Sequence, residues 1–137
     1  MAYAAMKNNQ LFEVIDGKDG QPYEDIGIPV FSPDSQHIAF SAKIEGQWYV
    51  VVDGKKNGHG YDLIGLGGDF VGSPVFSPDS QHVGFVAVQG NDSFVVVDGQ
   101  PGKPYDKILG IAFDTENSIH YLAQKDTDIY SVTVELN

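Results

Sequence analysis

The chain contains no cysteine, which excludes disulfide staples and thiolate chemistry. It leaves the compartment open, because periplasmic and cytosolic proteins alike can lack the residue. Positive charge is also scarce. Eight Lys and Arg stand against 19 Asp and Glu, giving a net charge of −11, and the longest basic run is Lys55-Lys56. Nucleic-acid backbones and anionic membranes select clustered Lys and Arg, so neither is an expected partner. No window approaches the roughly 18 apolar residues that a membrane span needs. The opening Met-Ala-Tyr-Ala-Ala-Met-Lys has no basic segment ahead of an apolar run, so no signal peptide is expected. A soluble protein of cytoplasm or periplasm fits both absences. A sustained 3.6-residue apolar period beside a credible cap is missing as well, and no helix is expected.

What the chain does have is repetition. Pro29-Val-Phe-Ser-Pro-Asp-Ser-Gln-His-Ile-Ala-Phe40 returns as Pro74-Val-Phe-Ser-Pro-Asp-Ser-Gln-His-Val-Gly-Phe85. Each block reads as a strand, a tight turn and a second strand. Proline presets φ at the second turn position, and Ser and Asp side chains can bond nearby backbone N–H groups. After the turn, Ile38, Phe40 and Ala42 alternate onto one side.

A wider period surrounds these blocks. An aromatic anchor followed nine residues later by another aromatic recurs as Tyr3/Phe12, Phe40/Tyr49, Phe85/Phe94 and Tyr121/Tyr130. Asp-Gly follows at 16–17, 53–54 and 98–99, and then a tyrosine with an acid: Tyr23-Glu24, Tyr61-Asp62 and Tyr105-Asp106. The anchors are spaced by 37, 45 and 36 residues, within the range of four-stranded propeller blades. Four strands, a to d, can be placed in each unit. Strand a is 27–31, 73–76 and 109–113; strand b begins near 37, 82 and 119, with a first copy at 2–6. Strand c is 11–15, 48–52, 94–97 and 129–134. Strand d is the stretch from each tyrosine to the following isoleucine.

The motif Phe-Ser-Pro-Asp-Ser-x-x-[Ile/Val]-x-Phe, followed by Val-Val-Val-Asp-Gly and Tyr-Asp, resembles the WD-like β-propeller repeat of the TolB type. The resemblance covers nearly the whole chain. It implies an all-β propeller with about four blade positions: a partial blade at 1–26, full blades at 27–64 and 65–108, and a partial blade at 109–137. It implies little about activity, because such propellers serve binding, scaffolding and enzyme support alike. Some relatives have a periplasmic envelope role. The last copy departs from the pattern: Asp114-Thr-Glu-Asn-Ser118 replaces the Ser-Pro-Asp-Ser-Gln turn, and its Asp-Gly is missing.

Two full and two three-stranded units leave an apolar sheet face open at either end. A wet face of about 600 Å² forgoes roughly 15 kcal/mol at about 25 cal/mol per Å², as much as a whole domain's net stability. A closed homodimer is therefore expected. The alternatives are a single-chain ring or a fragment of a longer TolB-like propeller.

For function, the repeated turns read as structure and the variable loops of the opposite face as the contact surface. The long 65–72 loop would bring Asp69 and Phe70 near the channel mouth. The b–c loops contribute Glu45, Asn91, Asp92, Asp126 and Asp128, and Trp48 is a possible stacking residue. His37 and His82 lack a second ligand at metal spacing, and the acids lack a calcium-loop pattern, so no metal or other cofactor is expected. No Gly-x-Ser-x-Gly elbow is present, and no catalytic residue is assigned. The expected function is a non-catalytic binding or scaffold module for a protein or small-molecule ligand. The alternative is an enzyme or enzyme-supporting propeller with its site at the channel mouth.

Overall fold

The computed structural model describes residues 2–7, 10–27, 29–64 and 74–136, which form sixteen β-strands and no helix. Among them, no helix is long and apolar enough to cross a membrane. The strands make four separate antiparallel sheets that do not close into a barrel. The first holds β1 (Ala2–Lys7), β2 (Gln10–Ile15) and β3 (Lys18–Tyr23), in that order. The second holds β4 (Asp25–Ile26), β5 (Val30–Phe31), β6 (Ile38–Ile44), β7 (Gln47–Val52) and β8 (Lys55–Lys56). The third repeats it with β9 (Leu63–Ile64), β10 (Val75–Phe76), β11 (Val83–Gln89), β12 (Asp92–Val97) and β13 (Gln100–Pro101). The fourth holds β14 (Lys107–Thr115), β15 (Ser118–Lys125) and β16 (Asp128–Glu135).

The register corrects strand d at both ends: its pairing with strand c starts directly after each Asp-Gly turn, at Lys18, Lys55 and Gln100, ahead of the tyrosine. Ile26 pairs with Ala42, Ile64 with Ala87, and Ile108 with Ala123. These isoleucines thus begin strand a of the following sheet and do not end strand d of their own. The handover falls inside each Tyr-acid-x-Ile segment: Tyr61 bridges back to Trp48 while Ile64 already pairs forward. β4 and β5 pair with successive parts of β6, as halves of one interrupted edge strand. β14 makes the same run unbroken, with a register shift between Ile108 and Gly110. Such a bulge lets a strand bend while it stays paired.

The sheets stack face to face in chain order. Tyr23 reaches across to Phe40, Ala42 and Val51 of the second sheet. Trp48, Val50 and Tyr61 of the second sheet pack with Phe85, Ala87, Phe94 and Val96 of the third. Val86 and Val95, on the other side of the third sheet, pack with Ile119, Tyr121 and Ala123 of the fourth. Inner sheets are therefore covered on both sides. This is why β6 is buried at Ala39 and Ser41 as well as at Ile38, Phe40 and Ala42, and why one-sided alternation describes it only in part. Runs such as Val-Val-Val suit that environment, since β-branched side chains fit a pleated surface buried on both faces.

The repeated turn is built as its residues require. The Ser35 N–H donates to the Ser32 carbonyl at 2.9 Å, closing the turn around Pro33-Asp34. The Ser32 hydroxyl donates to Asp34 Oδ1 and accepts from the His37 N–H at 3.0 Å. Ser77, Asp79 and His82 repeat both bonds in the third sheet. The hydrogen bond from Ser32 holds the Asp34 carboxyl below its ordinary range, and Ser77 does the same for Asp79.

Candidate functional site

Antiparallel connectivity puts the a–b and c–d turns at one end of the stack and the b–c hairpins at the other. At the hairpin end the chain turns at Glu45-Gly46, Gly90-Asn91 and Asp126-Thr127. Glu45, Gly46, Gly90 and Asp126 all have positive φ, as tight hairpin turns demand. Each hairpin is tied to the preceding sheet by the acid of the Tyr-acid pair. Glu24 Oε2 accepts the Gly46 N–H at 3.0 Å, Asp62 Oδ2 the Gly90 N–H at 2.8 Å, and Asp106 Oδ2 the Asp126 N–H at 2.7 Å. The Tyr-acid repeat is thus a clasp: the ring fills the space between sheets and the carboxylate fastens the next hairpin.

Of the residues expected to make contacts, only Asp126 takes part in a clasp. Glu45, Asn91 and Asp126 are exposed turn residues, and Asp92 and Asp128 are the exposed first residues of β12 and β16. They share one end of the stack, but none lines the clefts described below. Trp48 is a core residue, 6% exposed, between the second and third sheets. Asp69 and Phe70 lie outside the described residues. Among the described residues, no three His, Asp or Glu side chains converge as a metal site would require.

The more shaped surface is at the other end. His37 Nδ1 lies 2.6 Å from Asp53 Oδ2, and His82 Nδ1 lies 2.6 Å from Asp98 Oδ2. The second oxygen of each aspartate accepts a backbone N–H, from Ile38 and from Val83, both at 3.0 Å. The Asp of the second and third Asp-Gly turns, Asp53 and Asp98, therefore pins the start of strand b and orients a histidine. Its hydrogen bond to Asp53 raises the His37 pKa, against a smaller opposing effect of desolvation. In the fourth sheet His120 Nδ1 is 2.6 Å from Asp114 Oδ1, a contact without hydrogen-bond alignment, and the acid comes from strand a.

These pairs stand at the mouths of two inter-sheet clefts. The cleft between the third and fourth sheets has a volume of about 360 Å³. Val95, Val97, Tyr121, Val134 and Leu136 form its apolar wall, and His82 and Asp98 its polar rim. Between the second and third sheets the corresponding space is about 210 Å³. It is bounded by His37, Asp53 and Asn57 on one side and Phe76, Ser80 and Gln81 on the other. Two contacts hold this second cleft nearly shut. The Asp34 N–H donates to the buried Ser80 Oγ at 3.1 Å, and Gly58 sits so close to Gly99 that an added Cβ would be 2.9 Å from its Cα. The fourth sheet has no Asp-Gly turn to offer such a contact, and there the cleft stays open.

Chemically, a histidine held through Nδ1 keeps Nε2 for a ligand, and the apolar wall would cover a ligand's hydrocarbon surface. No activated nucleophile is bonded to either histidine among the described residues. The sequence signal for these pairs was the parallel spacing of His37 to Asp53 and His82 to Asp98, sixteen residues each. It is hidden because the repeated turns read as structure alone. No known family model matches this chain, and no curated protein is significantly similar to it.

Proposed function

We propose that the chain is a non-catalytic binding module of the β-propeller type, which completes its ring by pairing head to tail with a second copy. Its ligand would be held at the inter-sheet clefts. The observation that carries this reading is the burial of the anchor aromatics. Phe40, Phe85 and Tyr121 are 2%, 0% and 3% exposed, whereas Tyr3, the equivalent residue of the first sheet, is 49% exposed. Each of the buried anchors packs against the sheet before it. Tyr3 has no preceding sheet within the described residues.

The opposite end presents the matching vacancy. In β15 the buried Ile119, Tyr121 and Ala123 face the third sheet, so Leu122 points the other way. Ile129 pairs with Gln124 and shares the Leu122 face. Leu122 and Ile129 are 45% and 56% exposed. Placing this face on the Tyr3 face of a second copy repeats the contact that already joins the inner sheets. Two such contacts, related by a two-fold axis, would close a ring of eight sheets, within the span of known propellers. The TolB-type repeat resemblance agrees with this reading.

Light scattering behind a sizing column, across a tenfold dilution, tests the pairing. A mass near twice 14.9 kDa is expected, and Leu122→Lys with Ile129→Lys should yield a folded monomer. A wild-type chain that stays monomeric throughout, with Tyr3 still accessible to solvent quenchers, would overturn the pairing.

A further inference from the structure

A third cleft lies between the third and fourth sheets, lined by Lys103, Pro104, Tyr105, Lys125 and Tyr130, with a volume of about 360 Å³. Its composition is against the run of the molecule. The chain has 19 acidic residues and eight basic ones, all lysines, yet this lining holds two lysines and no carboxylate. Asp106 does not line the cleft but contacts one of its lysines. Its Oδ1 is 3.8 Å from Lys125 Nζ, and its Oδ2 is occupied by the Asp126 N–H. That long, exposed contact leaves most of the Lys125 donor capacity free. Lys103 Nζ sits 5.8 Å from the centroid of the Tyr105 ring and forms no ion pair among the described residues.

The rings give the cleft its second property. Tyr105 is buried, while Tyr130 is 46% exposed, and their centroids are 6.4 Å apart with planes tilted by 40°. Between the second and third sheets the equivalent pair, Tyr61 and Phe94, is closed edge to face at 5.4 Å and both rings are buried. Lys103-Pro104 replaces His59-Gly60 ahead of the tyrosine. The 46% exposed Tyr130 thus offers ring surface in a lining that also holds Lys103 and Lys125.

We propose that this cleft binds a small planar carboxylate, with the ligand ring stacked on Tyr130 and its carboxylate bonded by Lys103 and Lys125. Offset or edge-on ring packing supplies the apolar contact, and N⁺–H···O⁻ bonds supply the charge-assisted one. The site belongs to one chain and requires no second copy, so it can hold or fail independently of ring closure.

The test is a chemical-shift titration of the full chain with benzoate, taken to about 10 mM. Saturable shifts at the amides of Tyr105, Tyr130 and Lys125 are expected. Benzamide, which keeps the ring and loses the charge, and acetate, which keeps the charge and loses the ring, should each bind at least about tenfold more weakly. Lys103→Ala and Lys125→Gln should each weaken benzoate about five- to tenfold. Both lysines are exposed, so the variants should keep the wild-type amide dispersion, and that spectrum is checked first. Were a variant to lose it, Tyr130→Leu, at a half-exposed position, provides the parallel comparison. Absence of saturation, equal binding of benzamide and benzoate, or shifts that map elsewhere would overturn the assignment.

Discussion

The interface between the second and third sheets and the one between the third and fourth are built from the same repeat, yet one is shut and the other open. In the first, Tyr61 and Phe94 meet edge to face, Gly58 lies against Gly99, and the cleft described above holds about 210 Å³. In the second, Tyr105 and Tyr130 lie 6.4 Å apart with planes tilted by 40°, and the two clefts described above hold about 360 Å³ each. What differs is the last quarter of the repeat. Where the earlier repeats carry Asp-Gly, the fourth sheet carries Val134-Glu135. The wider space thus goes with the loss of the glycine-to-glycine contact that narrows the other interface.

The largest expected effect tests whether the shut interface is the mechanical centre. Phe85 is fully buried there, within the largest core cluster. Phe85→Ala should cost about 3–5 kcal/mol, the usual range for truncating a buried aromatic. Tyr130→Ala, at its half-exposed position in the open interface, should cost no more than about 1 kcal/mol. Urea unfolding of the two variants measures both. Equal losses would mean that the open interface is as tightly packed as the shut one, and the comparison would collapse.

A smaller effect sharpens the reason for the closure. Gly54 and Gly58 have nearly the same φ, +83° and +87°, but an added Cβ meets nothing at Gly54 and meets Gly99 at 2.9 Å at Gly58. Gly54→Ala should therefore lose only the backbone term, about 1–2 kcal/mol. Gly58→Ala carries the same term and must also push the neighbouring turn away, adding about 1 kcal/mol or more. If both cost the same in thermal or urea unfolding, the Gly58 contact is not what holds the cleft narrow.

How much of this was legible in the sequence follows from what repeats and what does not. The strands were legible because the anchors, the Asp-Gly turns and the β-branched runs recur, and recurrence fixes which residues do equivalent work. The handover at Tyr-acid-x-Ile was misplaced because pairing partners do not show in a single strand; Ile26 and Ile64 read equally well as the end of one strand or the start of the next. The clasp made by Glu24, Asp62 and Asp106 was visible as a pattern, while its acceptor role needed the neighbouring hairpin in space. The lysine–tyrosine cleft had no sequence signal at all. Lys103 and Lys125 are separated by a whole hairpin and meet only because the third and fourth sheets stack. Glu45, Asn91 and Asp126 read as display residues because variable loops often are, and the structure places all three at exposed hairpin turns.

The smallest effect concerns the histidine at the rim of the shut cleft, and its sign is fixed by the direction of its pKa. His37 is raised above its ordinary 6.5, first by the hydrogen bond to Asp53 and then by the charges of Asp53 and Asp34. A group protonated more readily in the folded state stabilises that state fully below the unfolded pKa. The contribution disappears as pH rises through the folded value. The stability of wild type minus that of His37→Gln should therefore be greatest near pH 5.5 and shrink steadily toward pH 8.5. Asp34 and Asp79 behave in the opposite sense. Their lowered pKa values give a contribution present above about 3.8 and lost only as pH falls through the folded values, so they do not contaminate the window used for His37. Because the pair is substantially exposed, the difference should also fade in high salt. Thermal melts at the two pH values decide the matter: a difference that does not change with pH would mean that the histidine pair adds nothing to the folded state, and one that grows with pH would mean that folding disfavours the protonated ring.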